Sequence, residues 1–128
     1  MNPLYATTTK GTLGELVVQL RFLEHNIQAA PPVKDSGNDL IAIRGPVFKA
    51  VQVRTTSGNT ISKPRPSIDY HILAVVKLPR KEDGRYSTRH AEVFLFSRRD
   101  VSQLSRRLSD YPQHILTEEL IDRLFRGA

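Results

Sequence analysis

Apolar positions recur along this chain with different periods, and each period predicts an element. Between Gly11 and His25, in GTLGELVVQLRFLEH, they return at three- and four-residue intervals, the spacing of a helix face. Leu13, Leu16, Val17, Leu20 and Leu23 form one stripe; Glu15, Val18, Gln19 and Phe22 form a second. Such a helix is expected to meet protein over much of its circumference, with Glu15 among apolar neighbours. Thr12, followed three residues later by Glu15, matches a capping box and marks the expected helix start.

The pattern then changes. Ile27 to Asn38, with Pro31-Pro32 and then Asp-Ser-Gly-Asn, reads as extended and then turning. DLIAIRGPVFKAVQVRT holds two β-branched runs broken by Gly45-Pro46, a hairpin signature. The stretch 56–67 carries Gly58, Pro64 and Pro66 and predicts an irregular, flexible loop. Tyr70 to Leu78 and Ala91 to Ser97 are nearly continuous apolar runs, as in central strands. Ser97 is positioned to cap a helix through about Leu108, with Val101, Leu104 and Leu108 on its inner face. A last helix is expected to start near Thr117, bury Leu120, Ile121, Leu124 and Phe125, and stop at Gly127. Helix, strands and two helices make an α+β domain. At 128 residues a single domain over 1–128 is expected, with 1–10 as an N-terminal tail.

Alternation along the second hairpin strand puts Gln52 and Arg54 on the same face as Phe48 and Ala50. A two- or four-residue loop at Gly45-Pro46 pairs Ile43 with Phe48, Ile41 with Ala50, and Asp39 with Gln52. Asp39, Gln52 and Arg54 then cluster at the open end of the hairpin; a three-residue loop would turn Asp39 away. A carboxylate, an amide oxygen and the Val53 carbonyl are oxygen ligands suited to a hard cation such as Mg²⁺. Arg54 is always cationic and cannot be a ligand, but it can hold a phosphate oxygen. Each residue also has a plainer reading. Glu15 can serve Thr12 as a capping partner, Asp39 can close a turn, and Gln52 and Arg54 can lie on a half-solvated sheet. Their joint spacing raises the functional reading above these.

Composition narrows the partners. Nineteen Lys and Arg against 13 acidic residues give a formal charge of +6, which favours a polyanionic partner. Lys63, Arg65, Arg85 and Arg89 are candidate phosphate contacts. The absence of cysteine excludes disulfides and thiolate metal sites. No two of the four histidines have helical metal-ligand spacing, and no phosphate-cradling Gly loop or anchored Ser-His-Asp motif is present. The N-terminal residues lack the build of a signal peptide, so an intracellular, cytoplasmic protein without a membrane or small-molecule cofactor is expected.

At GTLGE, GNDLIAI and VQVRT the chain resembles the PD-(D/E)XK, restriction-endonuclease-like nuclease superfamily, in the branch whose third motif reads Gln-x-Lys. The resemblance implies Glu15 and Asp39 as acidic residues, with Gln52 and Arg54 in the motif's first and last places. It also implies Mg²⁺- or Mn²⁺-dependent hydrolysis of DNA phosphodiesters, commonly by a homodimer. The implied core is an α/β sandwich, a helix packed on a mixed, mainly four-stranded sheet, here followed by two C-terminal helices. Two departures stand out. Arg54 occupies the lysine position and is a poor proton acceptor, and a proline-containing loop follows the motif strand where the family usually has a helix. The alternative is a catalytically inactive relative acting as a basic nucleic-acid-binding or protein-interaction module.

Overall fold

The computed structural model describes residues 6–33 and 39–126. Helix α1 (Ala6–Glu24) precedes strands β1 (Gln28–Ala30), β2 (Leu40–Arg44), β3 (Val47–Thr56), β4 (Ile72–Lys77) and β5 (Glu92–Ser97). Short helix α2 (Arg98–Val101), two 3-10 turns and helix α3 (Glu118–Leu124) complete the chain. The five strands form one sheet in sequence order; β3 and β4 are parallel and every other neighbouring pair is antiparallel. The α+β class therefore holds, and the four expected strands are joined by β1 at the edge.

The hairpin register follows from its turn. Arg44 pairs with Val47 across the two-residue loop Gly45-Pro46, Ile43 pairs with Phe48 and Ile41 with Ala50. Gly45 has φ +57°, a conformation open to glycine at the first central position of such turns. Helix α1 ends in a Schellman motif. Asn26 is left-handed at φ 61°, the Ile27 N–H donates to the Phe22 carbonyl at 2.9 Å and the Asn26 N–H donates to that of Leu23 at 3.0 Å. This reversal sends the chain directly into β1 along the sheet edge.

Helix α1 starts five residues before the expected Gly11, so Thr12 lies inside it and no capping box forms. The two stripes also divide differently from the sequence expectation. Val17, Val18 and Phe22 are buried, whereas Leu16, Leu20 and Leu23 are 54%, 53% and 61% exposed. The helix thus buries one face against Val51 and Val53 of β3 and leaves its leucine row outside. Gly14 permits the contact, because a Cβ there would lie 1.9 Å from Thr55 Oγ1 and 3.0 Å from Thr55 Cβ. Phe22 meets Phe125 edge to face, with ring centroids 5.8 Å apart, so α1 and α3 share this layer.

The other face of the sheet is covered over β4, β5 and the adjoining part of β3 at Gln52, which is 2% exposed. Leu73, Val75, Phe94 and Phe96 pack there against Ile61, Tyr70, Val101 and Leu108. The expected long helix after Ser97 is replaced by a four-residue helix and turns. Ser97 does cap it, accepting from the Asp100 N–H at 3.2 Å. Beyond Val101 the chain pairs with the β3–β4 crossover instead: the Ile61 N–H donates to the Arg106 carbonyl, and the Leu108 N–H to that of Asn59. Asn59 also exchanges side-chain hydrogen bonds with Ser109. The crossover, 57–71, contains no helix. Thr117 caps α3, accepting from the Leu120 N–H, and Leu120, Ile121 and Phe125 are buried while Leu124 is half-buried. The expected stop at Gly127 and the Asp-Ser-Gly-Asn turn lie outside the described residues. Among the described residues no helix is long and apolar enough to cross a membrane.

The two layers of α1 give a direct test by chemical denaturation. Phe22→Ala empties a fully buried position against Phe125 and is expected to lower unfolding free energy by about 3–5 kcal/mol. Leu23→Ala, on the exposed row, is expected to change it by less than about 0.5 kcal/mol. Equal losses in the two variants would contradict the orientation of α1.

Candidate active site

The site lies where β2 begins. The Asp39 N–H donates to the Val51 carbonyl at 3.2 Å, and the Asp39 carboxylate accepts the Val53 N–H at 2.8 Å. A side-chain oxygen thereby takes a ladder position that a main-chain carbonyl would fill. In an extended strand the N–H and C=O of one residue point to the same side. The Val53 carbonyl therefore faces the edge that Asp39 occupies.

Alternation supplies the remaining groups. Val51 and Val53 point into the layer beneath α1, so Gln52 and Arg54 project from the opposite face. Gln52 is 2% exposed, an unusual burial for an amide. Arg54 Nη1 lies 3.4 Å from Gln52 Oε1, 3.2 Å from the Val53 carbonyl oxygen and 3.9 Å from Asp39 Oδ2. Three oxygens of different chemistry thus converge on one cationic N–H group. A carboxylate, an amide oxygen and a main-chain carbonyl form a donor set that fits Mg²⁺ or Mn²⁺. The groups foreseen at the open end of the hairpin are together, and the Asp39 and Arg54 side chains are each about a third exposed (32% and 31%).

Glu15 joins them electrostatically. It follows Gly14, the residue at which α1 abuts Thr55, and it is half-buried. Burial pushes its carboxyl above the ordinary 4.5, and the Asp39 charge adds to the effect. Two carboxylates of like sign therefore act on each other where α1 meets the hairpin, an arrangement that a cation relieves.

The four candidate phosphate contacts stand outside this cluster. Lys63 and Arg65 are exposed on the crossover, and Arg85 and Arg89 are exposed on the β4–β5 connection. That connection leaves the sheet beside Thr56, two residues beyond Arg54, where the Leu78 N–H donates to the Thr56 carbonyl at 2.7 Å. Arg98 does not lie free on the helix surface. It donates to the Ile68 and Pro66 carbonyls at 2.7 and 2.9 Å and stacks over Tyr70 at 4.7 Å, clasping the crossover. Tyr70 itself is a neighbour of the site that sequence reasoning treated only as the start of a strand. It is buried, which raises its hydroxyl pKa, while Arg98 and Arg54 pull the other way. No local sequence pattern signals this, because Tyr70 reaches the site through the crossover.

The Glu15 shift has a defined consequence for stability. A carboxyl whose folded pKa is raised stabilises the fold below its unfolded pKa and loses that contribution as pH rises through the folded value. Glu15→Gln is therefore expected to raise the melting temperature at pH 7.5 in EDTA by about 1–3 °C. At pH 3.5, where the native carboxyl is already protonated, the two proteins should melt together. Melting curves at both pH values test this, and a lower melting temperature for the variant at pH 7.5 would contradict the assignment.

Comparison with known proteins adds the fold context. Neither protein-family models nor curated protein sequences give a match to this chain. Among solved structures, the bacterial homing endonuclease I-Ssp6803I is similar, with a TM-score of 0.59 and 15% sequence identity. The similarity covers 80% of this chain and 73% of that one. The chain thus shares a fold with that endonuclease over most of both chains.

Proposed function

We propose that this protein is a divalent-cation-dependent endonuclease that hydrolyses DNA phosphodiester bonds. The observation that carries the reading is the convergence of the Asp39, Gln52 and Val53 oxygens at one point on β3. The nuclease-like fold supports it, as does the net charge of +6.

Asp39 Oδ2, Gln52 Oε1 and the Val53 carbonyl would hold the cation, with Glu15 joining directly or through water. Held there, Mg²⁺ or Mn²⁺ would lower the pKa of a nearby water and polarise a phosphoryl oxygen. Arg54 holds the scissile phosphate through its fork of donors and stabilises the charge that develops on it. Because a guanidinium stays protonated, Arg54 takes no proton from water. Glu15, when it meets the cation through a water, is the carboxylate in the cluster that could accept one. Lys63, Arg65, Arg85 and Arg89 hold backbone phosphates on either side. By the resemblance to restriction-endonuclease-like enzymes, the proposed working form is a homodimer that acts on DNA inside the cell.

A second reading rests on Arg54 itself. With arginine in the lysine place, the chain keeps a nuclease fold and serves as a basic nucleic-acid-binding or interaction module without cleavage. Incubation with plasmid, branched and single-stranded DNA in Mg²⁺, Mn²⁺ or EDTA separates the two. The nuclease reading predicts cleavage that EDTA abolishes and that Asp39→Ala reduces by about 100-fold or more, with the variant still folded by circular dichroism. Full cleavage by Asp39→Ala would overturn the assigned site. Salt-dependent binding without cleavage in any metal would establish the silent module.

A further inference from the structure

What lies at the focus of the three oxygens is itself informative. Arg54 Nη1 faces Val53 O at 3.2 Å, Gln52 Oε1 at 3.4 Å and Asp39 Oδ2 at 3.9 Å. A carboxylate beside two oriented carbonyl-type dipoles creates a negative potential at that point, and a buried Gln52 oxygen sits where water screens little of it. A cationic group belongs there whether or not an ion has arrived. Arginine meets the need better than lysine, because its planar fork can present several N–H groups to several oxygens.

We infer that Arg54 is a resident counter-cation, competing with the divalent ion for the oxygens of Asp39, Gln52 and Val53 and freed for phosphate when the ion takes its place. The inference rests on the proposed cation site and adds a regulatory role for one residue of it. The two positive charges cannot share the focus at these distances, so the arginine weakens ion binding in the absence of nucleic acid. An anionic phosphate that draws the guanidinium outward strengthens it. By linkage, the ion must in turn strengthen the binding of that phosphate. Arg54 thus suppresses ion loading until a substrate is present.

The test is Mn²⁺ binding to the full chain without DNA, measured by electron paramagnetic resonance and calorimetry. The proteins compared are the wild type, Arg54→Met, Arg54→Gln, Asp39→Ala and the Asp39→Ala/Arg54→Met double variant. Methionine and glutamine keep much of the arginine's length and remove its charge, and the partly exposed position tolerates both. Melting curves confirm folding, and either neutral variant suffices. The expected result is Mn²⁺ binding about tenfold tighter in the neutral variants than in the wild type, lost again when Asp39→Ala is added. Equal or weaker binding in the neutral variants, with Asp39→Ala still abolishing it, would overturn the inference while leaving the cation site intact. Binding unaffected by Asp39→Ala, or absent from every folded protein, would overturn both.

Discussion

The hydrogen bond from the Val53 N–H to the Asp39 carboxylate is the interaction on which the site depends. It fixes a flexible side chain to the backbone of a central strand, so Asp39 inherits the rigidity of the sheet. It also determines what faces Asp39. The same strand geometry that aims the Val53 N–H at the carboxylate aims the Val53 carbonyl along the same edge, while Gln52 and Arg54 flank it from one face. All of this rests on a two-residue turn. One more residue between Arg44 and Val47 would shift the register and carry Asp39 to the other side of the sheet, leaving Gln52 and Arg54 without a carboxylate.

That register was readable in the sequence because its determinants are local. Gly45-Pro46 specifies the turn, β-branched alternation specifies the strands, and together they put Asp39 opposite Gln52. The caps at Ser97 and Thr117 were readable for the same reason. The orientation of α1 was not. The wholly apolar stripe is the one left largely outside, while the stripe that contains Glu15 and Gln19 turns inward, because Gly14 lets the helix approach Thr55 on the side of Val18 and Phe22. The helix after Ser97 was overestimated because Val101, Leu104 and Leu108 do face a core. They reach it through turns whose backbone groups pair with Asn59 and Ile61, residues more than forty positions away. Strand β1 is three residues long and held at the edge by the reversal at Asn26, too little sequence to carry a period.

The crossover shows how the fold manages without the helix that usually joins such strands. A parallel pair needs a long connection that covers one face of the sheet. Here Ile61 and Tyr70 supply the apolar cover, the 106–109 segment satisfies the backbone at Asn59 and Ile61, and Arg98 pins the carbonyls of Pro66 and Ile68. The cover extends over β4 and β5 and leaves β2 and the start of β3 open, with Phe48 62% exposed. Arg54 stands at the margin between the covered and open halves. The same economy that shortens the connection therefore leaves the site accessible from one side.

This margin explains why the identity of the cation matters more than its presence. Burial of Gln52 and ligation of Asp39 to the backbone set the oxygens in place before any ligand binds, so the cost of gathering them is met during folding. Gathered oxygens repel one another and demand a positive charge. A lysine in place of Arg54 would meet that demand as a compact, strongly hydrated point charge and could shift its pKa to lose a proton. The guanidinium can do neither. It supplies the positive charge the oxygens call for, and on the proposed function a divalent cation on one side and a phosphate on the other would draw it away. In the proposed function, the arginine would convert a preformed ligand set into one whose loading depends on substrate.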